Sequence, residues 1–209
     1  MSESRTAVIE RELRAGAPAA PEAEAAEAAA RLARRADDEG LVEVAYTTFD
    51  APIGTMLVAT TERGLLRVGL PTETWDGVLT RISAAVSPLV LELPRRTDAA
   101  RRELEQYFEG KRREFDLPLD WRLAQGEFTR RLLRDLDRVP YGEVITYSEA
   151  ARRAGSPRAH RAAGNALGSN PIPVVVPCHR VIRAGNVLGN YGGGPELKRY
   201  LLEHEGWYD

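Results

Sequence analysis

With 209 residues and 43% apolar side chains, the chain can form one or two small cored domains. No apolar stretch approaches the roughly 20 residues of a membrane-spanning helix. A net charge of −2 argues against a nucleic-acid partner only if charge is evenly spread. It is not: residues 1–40 carry 6 Arg against 9 Asp and Glu, whereas Ile145–Arg183 carries 6 Arg against the single acid Glu149. A local basic patch outweighs the global sum. Only Lys111 and Lys198 are lysines among 29 basic residues, which with abundant Ala, Gly and Pro points to a GC-rich coding sequence.

Residues 1–40 are rich in Ala, Glu and Arg and lack the apolar core of a secretory signal. Glu22 to Ala36 has helical composition, but Leu32 is its only large apolar residue, so we read 1–40 as a disordered tail with transient helix. Order is expected from Leu41. Val42, Val44 and Tyr46 alternate with polar or small residues, as in a strand. Thr55–Thr60 and Leu65–Leu70 continue a meander through turns at 51–54 and 62–64. A helix is expected over Thr74–Val86 and a strand around Leu89–Leu93. A second helix should run over Ala99–Glu109, capped by Thr97-Asp98 and stopped by Gly110. Phe115–Leu119 reads as an edge strand leading out of this domain.

Beyond it the pattern is helical. Phe128, Leu132, Leu133 and Leu136 recur at helix spacing over Gly126–Arg138. Thr146 with Glu149 has the form of a capping box, and the helix it opens ends at Gly155. Ser156-Pro157 can cap another helix from Arg158 to Gly168, giving a helix-turn-helix. In that second helix Ala159, Ala162, Ala163, Gly164 and Ala166 leave little bulk. This suits close helix packing as well as approach to a nucleic-acid groove; Arg158, His160 and Arg161 favour the groove. The fold class is α+β: a small N-terminal antiparallel β-sheet domain with helices (41–120), then a mostly helical C-terminal domain (121–209).

The only cysteine, Cys178, follows the apolar run Ile172–Val176 in Pro177-Cys178-His179-Arg180. One cysteine has no intramolecular disulfide partner, and structural zinc needs several ligands, so no metal is expected. A lone thiol is more often buried and inert than reactive. Here it ends a strand-like run beside an imidazole and a guanidinium, groups able to stabilise a thiolate. One thiol without an export signal also fits a reducing, intracellular, cytoplasmic location.

Val139-Pro140-Tyr141-Gly142-Glu143-Val144, Thr146-Tyr147, Arg161–Gly164, Asn170-Pro171, Pro177–Ile182, Asn190–Gly194 and His204-Glu205-Gly206 occur in that order. In this set the sequence resembles the O6-alkylguanine-DNA alkyltransferases (methylated-DNA–protein-cysteine methyltransferases). The resemblance is specific over 126–206 and weaker over 41–120. It implies a protein that binds duplex DNA, rotates the damaged guanine out of the stack and takes its O6-alkyl group irreversibly onto Cys178, once per molecule and without a cofactor. By the same resemblance His179 accepts the thiol proton through a water, Glu205 orients the imidazole, and Asn170 holds the network. Tyr147 assists extrusion and leaving-group protonation, and Arg161 fills the space of the flipped base. Arg158, Ala162 and Gly164 lie against DNA, and Tyr191, Pro173 and Val181 form the substrate pocket. The partner implied is double-stranded DNA containing O6-alkylguanine, with O4-alkylthymine a further candidate substrate. No membrane is expected; the protein should be a monomer, with cooperative binding along DNA open. The alternatives are a non-catalytic damage-sensing DNA-binding protein, against which Cys178 argues, and a thiol hydrolase, which would regenerate its thiol. The glycine run leads into Pro195 where many relatives carry an apolar residue, and no second cysteine is present for a sensor role.

Overall fold

The computed structural model describes residues 22–207; the first half of the 1–40 tail reading lies outside them. Residues 1–40 group as one unit and 41–209 as another. In the first, Glu22–Asp38 forms the 17-residue helix α1, over the stretch whose composition favours helix. Its pairs Arg31–Glu27 (3.1 Å) and Arg35–Glu39 (2.9 Å) lie one turn apart, a spacing that supports a helix.

The second unit begins with a hairpin of β1 (Val44–Ala51) and β2 (Gly54–Thr61), extended by β3 (Gly64–Gly69). Gly64 turns with φ 125°, and a Cβ there would run into the Pro118 carbonyl, so both backbone and space require glycine. The sheet order is β3-β2-β1-β4, where β4 (Val90–Glu92) runs parallel to β1. The sheet is therefore mixed, not purely antiparallel. The chain crosses one face as α2 (Trp75–Ala85), burying Val78 and Ile82 against Val44, Leu57, Ala59 and Leu66, and re-enters alongside β1 in the same direction.

Helix α3 (Pro94–Phe108) covers the other face with Ala100, Leu104, Tyr107 and Phe108. It starts five residues before the expected Ala99. Pro94 serves as a first-turn proline, and Thr97 donates its hydroxyl to the Pro94 carbonyl (3.0 Å) instead of capping. Residues 115–119 form no strand. Leu119 makes an isolated bridge to Leu65, and Pro118 and Asp120 bond to the outer edge of β3.

The same apolar cluster continues into α4 (Glu127–Asp135) through Leu132 and Leu133, and into the 3-10 turn after it through Leu136. Two-residue strands β5 (Ile145–Thr146) and β6 (Val181–Ile182) pair in parallel, which brings the start of α5 (Tyr147–Arg153) beside the cysteine segment. Thr146 accepts from the Glu149 amide (3.2 Å), as the capping pattern predicts. The Glu149 carboxylate turns instead to Arg152 and Arg153 (2.7 and 2.8 Å). Helix α6 (His160–Gly168) starts two residues later than expected: Ser156–Ala159 closes a separate turn, and no side chain caps the helix. Helix α7 (Pro195–His204) closes the fold. No helix of the described residues is long and apolar enough to cross a membrane.

Candidate active site

Residues 171–182 are all buried, yet they contain only one turn of 3-10 helix (Cys178–Arg180) and β6. Such a segment must satisfy its polar groups locally. Within it Val174 adopts φ 74°, a conformation costing a β-branched residue on the order of 1–3 kcal/mol. It is fully buried, so the surrounding packing holds it there.

Asn170 is the organiser of this loop. Its Oδ1 accepts from the Ile172 amide (3.0 Å), while its Nδ2 donates to the Val176 carbonyl (2.9 Å) and to Cys178 Sγ (3.1 Å). The thiol does not sit among free cations, as the sequence suggested. Arg180 is committed to Glu205 (Nε to Oε2, 2.8 Å) and to the Val139 carbonyl. Burial pushes the Cys178 thiol up from its ordinary value, and the Asn170 hydrogen bond and the Lys198 charge only partly offset this. At rest the sulfur carries its proton, so reaction requires a base.

The next residue in the chain is an imidazole. His179 is buried, and its Nε2 meets Glu205 Oε1 at 2.8 Å. Burial pushes Glu205 up, but hydrogen bonds and charge from His179 and Arg180 outweigh it and hold the carboxyl far below its ordinary range. An ionised Glu205 only accepts, so His179 Nε2 carries the hydrogen and Nδ1 presents a lone pair. Burial also lowers the imidazole pKa, despite Glu205 pulling it up, leaving it neutral near pH 7. His179 Nδ1 and the Tyr191 hydroxyl are both buried without a partner among the described residues. Buried polar atoms of this kind are places for water or a ligand.

Glu205 has two further partners that sequence reasoning missed: the Tyr107 hydroxyl (2.7 Å), from α3, and the Gly142 amide (3.3 Å). Tyr107 lies 98 residues away, and nothing local marks it. Lys198 was missed too, though it did leave a signal, as one of two lysines in a chain that otherwise uses arginine. Its ammonium is buried against the Val181 carbonyl, and burial lowers its pKa to about 8. A compact ammonium fits where a guanidinium fork would not.

A cavity of about 1030 Å³ opens above the sulfur. Cys178, Tyr147, Tyr191, Arg161 and Gly164 line it. Tyr147 donates to the Asn190 carbonyl (3.2 Å), and a Cβ at Gly189 would press on its ring. Arg158 and Ala162 are exposed on or beside α6 but do not line the cavity, and Pro173 and Val181, expected on its wall, are buried away from it. Pro173 is taken up in a bridge with Val176, and Val181 pairs in β6 and receives Lys198. The small residues of α6 divide: Ala163 and Ala166 pack into the core, while Ala162 and Gly168 face solvent.

Two family models cover nearly all of the second unit. They are 6-O-methylguanine DNA methyltransferase, ribonuclease-like domain, over 44–121, and its DNA binding domain, over 127–207. The chain belongs to the methylated-DNA–protein-cysteine methyltransferase family. It is 41% identical to the enzyme of that name from Mycolicibacterium paratuberculosis, over 78% of this chain and 92% of the relative. It is 38% identical to the human one, over 78% and 81%. A crystal structure of Mycobacterium tuberculosis OGT in complex with DNA superposes with a TM-score of 0.68 at 38% identity, covering 78% of this chain and 93% of that one. Activity in this family is alkyl transfer in DNA repair, and a methyltransferase needs an acceptor; this chain has one cysteine to offer.

Proposed function

We propose that Cys178 takes the alkyl group from O6-alkylguanine in duplex DNA in a single, irreversible turnover. The observation carrying this reading is a buried thiol on the lining of a large cavity, followed in the chain by a buried His179 whose Nε2 is paired with Glu205. His179 Nδ1 removes the thiol proton through a water, and sulfur then attacks the alkyl carbon. The carbon–O6 bond breaks, and a thioether forms as guanine takes a proton at the ring or at O6. Glu205, anchored by Arg180 and Tyr107, stabilises the imidazolium in the manner of a nucleophile–base–orienter triad. No step calls for a cofactor.

Tyr147, at the lip of the cavity, is suited to donate to the leaving base or its flanking phosphate. Arg161 is suited to replace the extruded guanine, since a planar cation can stack and hydrogen-bond at once. Arg158, Ala162 and Gly164 would form the contact surface with DNA, and Tyr191 one wall of the base site. We take 41–120 as the supporting domain, 121–209 as the DNA-binding and reacting domain, the protein as a monomer, and its location as intracellular, where the thiol stays reduced.

Intact mass before and after incubation with duplex DNA containing one O6-methylguanine tests this. Gain of one methylene on Cys178, ending at one equivalent, is the expected result; Cys178→Ser should bind DNA and gain nothing. Transfer that persists in Cys178→Ser, or continues past one equivalent, overturns the proposal.

A further inference from the structure

We propose that Arg67, on the edge strand of the N-terminal sheet, is a positioning residue for the reacting thiol, acting through the peptide group between Pro171 and Ile172. This rests on the reading of Asn170 and Cys178 given above.

Strand β3 is the sheet's edge, and its outer side carries no further strand. Instead the Val68 amide donates to the Pro171 carbonyl (3.0 Å), and Arg67 Nη1 donates to the same oxygen (2.8 Å) and to the Val68 carbonyl (2.8 Å). Both lone pairs of the Pro171 oxygen are thus engaged. The amide hydrogen of that same planar group, on Ile172, is held by Asn170 Oδ1. Fixing the plane at its oxygen end fixes where the hydrogen points. Asn170 must then offer Oδ1 to it, which turns Nδ2 toward Val176 and Cys178 Sγ. The orientation of the amide on the sulfur is set in this way from a strand more than a hundred residues earlier in the chain.

Arg67 is itself fixed. Its Nη2 is held by both oxygens of Glu73 (2.5 and 2.6 Å), with Arg67 11% and Glu73 23% exposed at the side chain. Glu73 also accepts from the Leu70 amide (3.0 Å) and Arg81 (2.9 Å). A buried ion pair contributes little net stability compared with apolar residues of similar volume. Its worth at this site lies in geometry: a guanidinium can bridge a carboxylate and two carbonyls at fixed angles.

The test reads the thiol without DNA. The rate of Cys178 alkylation by iodoacetamide is followed against pH, with reaction of O6-benzylguanine in parallel and thermal melting as a control for folding. Asn170→Ala should slow thiol reaction about tenfold at neutral pH by removing a hydrogen bond to the forming thiolate. Arg67→Met should slow it about threefold and move the pH midpoint upward, while Arg67→Lys recovers part of the loss. Glu73→Gln, which loosens Arg67 without removing it, should shift the midpoint in the same direction by less, and covers the case where Arg67→Met does not fold. A lowered melting temperature with an unmoved midpoint in the Arg67 and Glu73 variants overturns the proposal while leaving Asn170 in place. An unmoved midpoint in Asn170→Ala as well removes the underlying reading of the site.

Discussion

Between Val44 and Asp120 the buried polar side chains are four threonines, one serine and Asp120; beyond residue 127 they are Asn170, His179, Arg180, Lys198 and Glu205. The first region is a sheet covered on two faces by helices, its interior filled by Leu57, Leu66, Ile82 and Leu104. The second surrounds a loop with little regular structure, a strained Val174 and a network of buried charge. Apolar packing stabilises roughly in proportion to area and tolerates adjustment. Buried charge adds little net stability but fixes orientation, and breaking one partner is costly. Each half is therefore damaged differently: the sheet through volume, the loop through a single lost atom.

Glu205→Gln should give the largest effect. It leaves Arg180 and His179 without their counter-charge, and about 3–5 kcal/mol of stability should go, with transfer nearly lost. The pH dependence carries its own sign. Because Glu205 is held far below its ordinary 4.5, its contribution is complete above about pH 4.5 and disappears as pH falls below it. Chemical denaturation of the two proteins should therefore differ most at neutral pH and converge in acid. A gap that stays constant down to low pH would mean that Glu205 is not the anchor described.

Leu66→Ala, in the fully buried centre of the sheet, should cost about 3 kcal/mol by leaving a cavity. The folded protein should still transfer at the wild-type rate per molecule, measured by single-turnover kinetics below the new melting point. A rate loss there would break the division between the two halves. Tyr107→Phe sharpens it from the other side, since Tyr107 belongs to the sheet half yet donates to Glu205. Loss of a hydrogen bond to a charged group should cost about 2 kcal/mol and slow transfer several-fold. If Tyr107→Phe matched Leu66→Ala in leaving transfer intact, the hydroxyl would be structural only.

This asymmetry also decides what could be read from the sequence. The alternation of β1 and the spacing of Leu132, Leu133 and Leu136 report apolar burial, which is local and periodic, and the elements they imply are present. The parallel placement of β4 was not legible, because direction within a sheet is fixed by the crossover and not by the strand's own residues. The start of α3 was misplaced because Thr97-Asp98 resembles a cap while Pro94 is the first-turn residue. At the site, Cys178, His179, Asn170 and Glu205 could be named from short motifs; Tyr107, which donates to Glu205, and Arg67, which donates to the Pro171 carbonyl, could not, and Lys198 left only its rarity as a signal. Each of those acts across the fold through one side-chain atom, and a single atom leaves no period in a sequence. The thiol's environment was misread for the same reason: Arg180 adjoins the motif, yet its guanidinium is spent on Glu205 and Val139.

Arg161→Ala should have the smallest effect on the molecule and the most selective effect on its work. Arg161 is exposed on α6 and lines the cavity, so stability should change by no more than about 0.5 kcal/mol. Repair of O6-methylguanine in duplex DNA should fall by roughly tenfold, about what a stacking side chain contributes. Reaction with the free base O6-benzylguanine needs no extrusion and should stay within about twofold, since Cys178, His179 and Glu205 are untouched. The ratio of the two rates isolates the step at which DNA is opened. Equal losses on both substrates would place Arg161 within the chemistry of the pocket, and would make this face of the loop half sensitive in the same way as its buried charges.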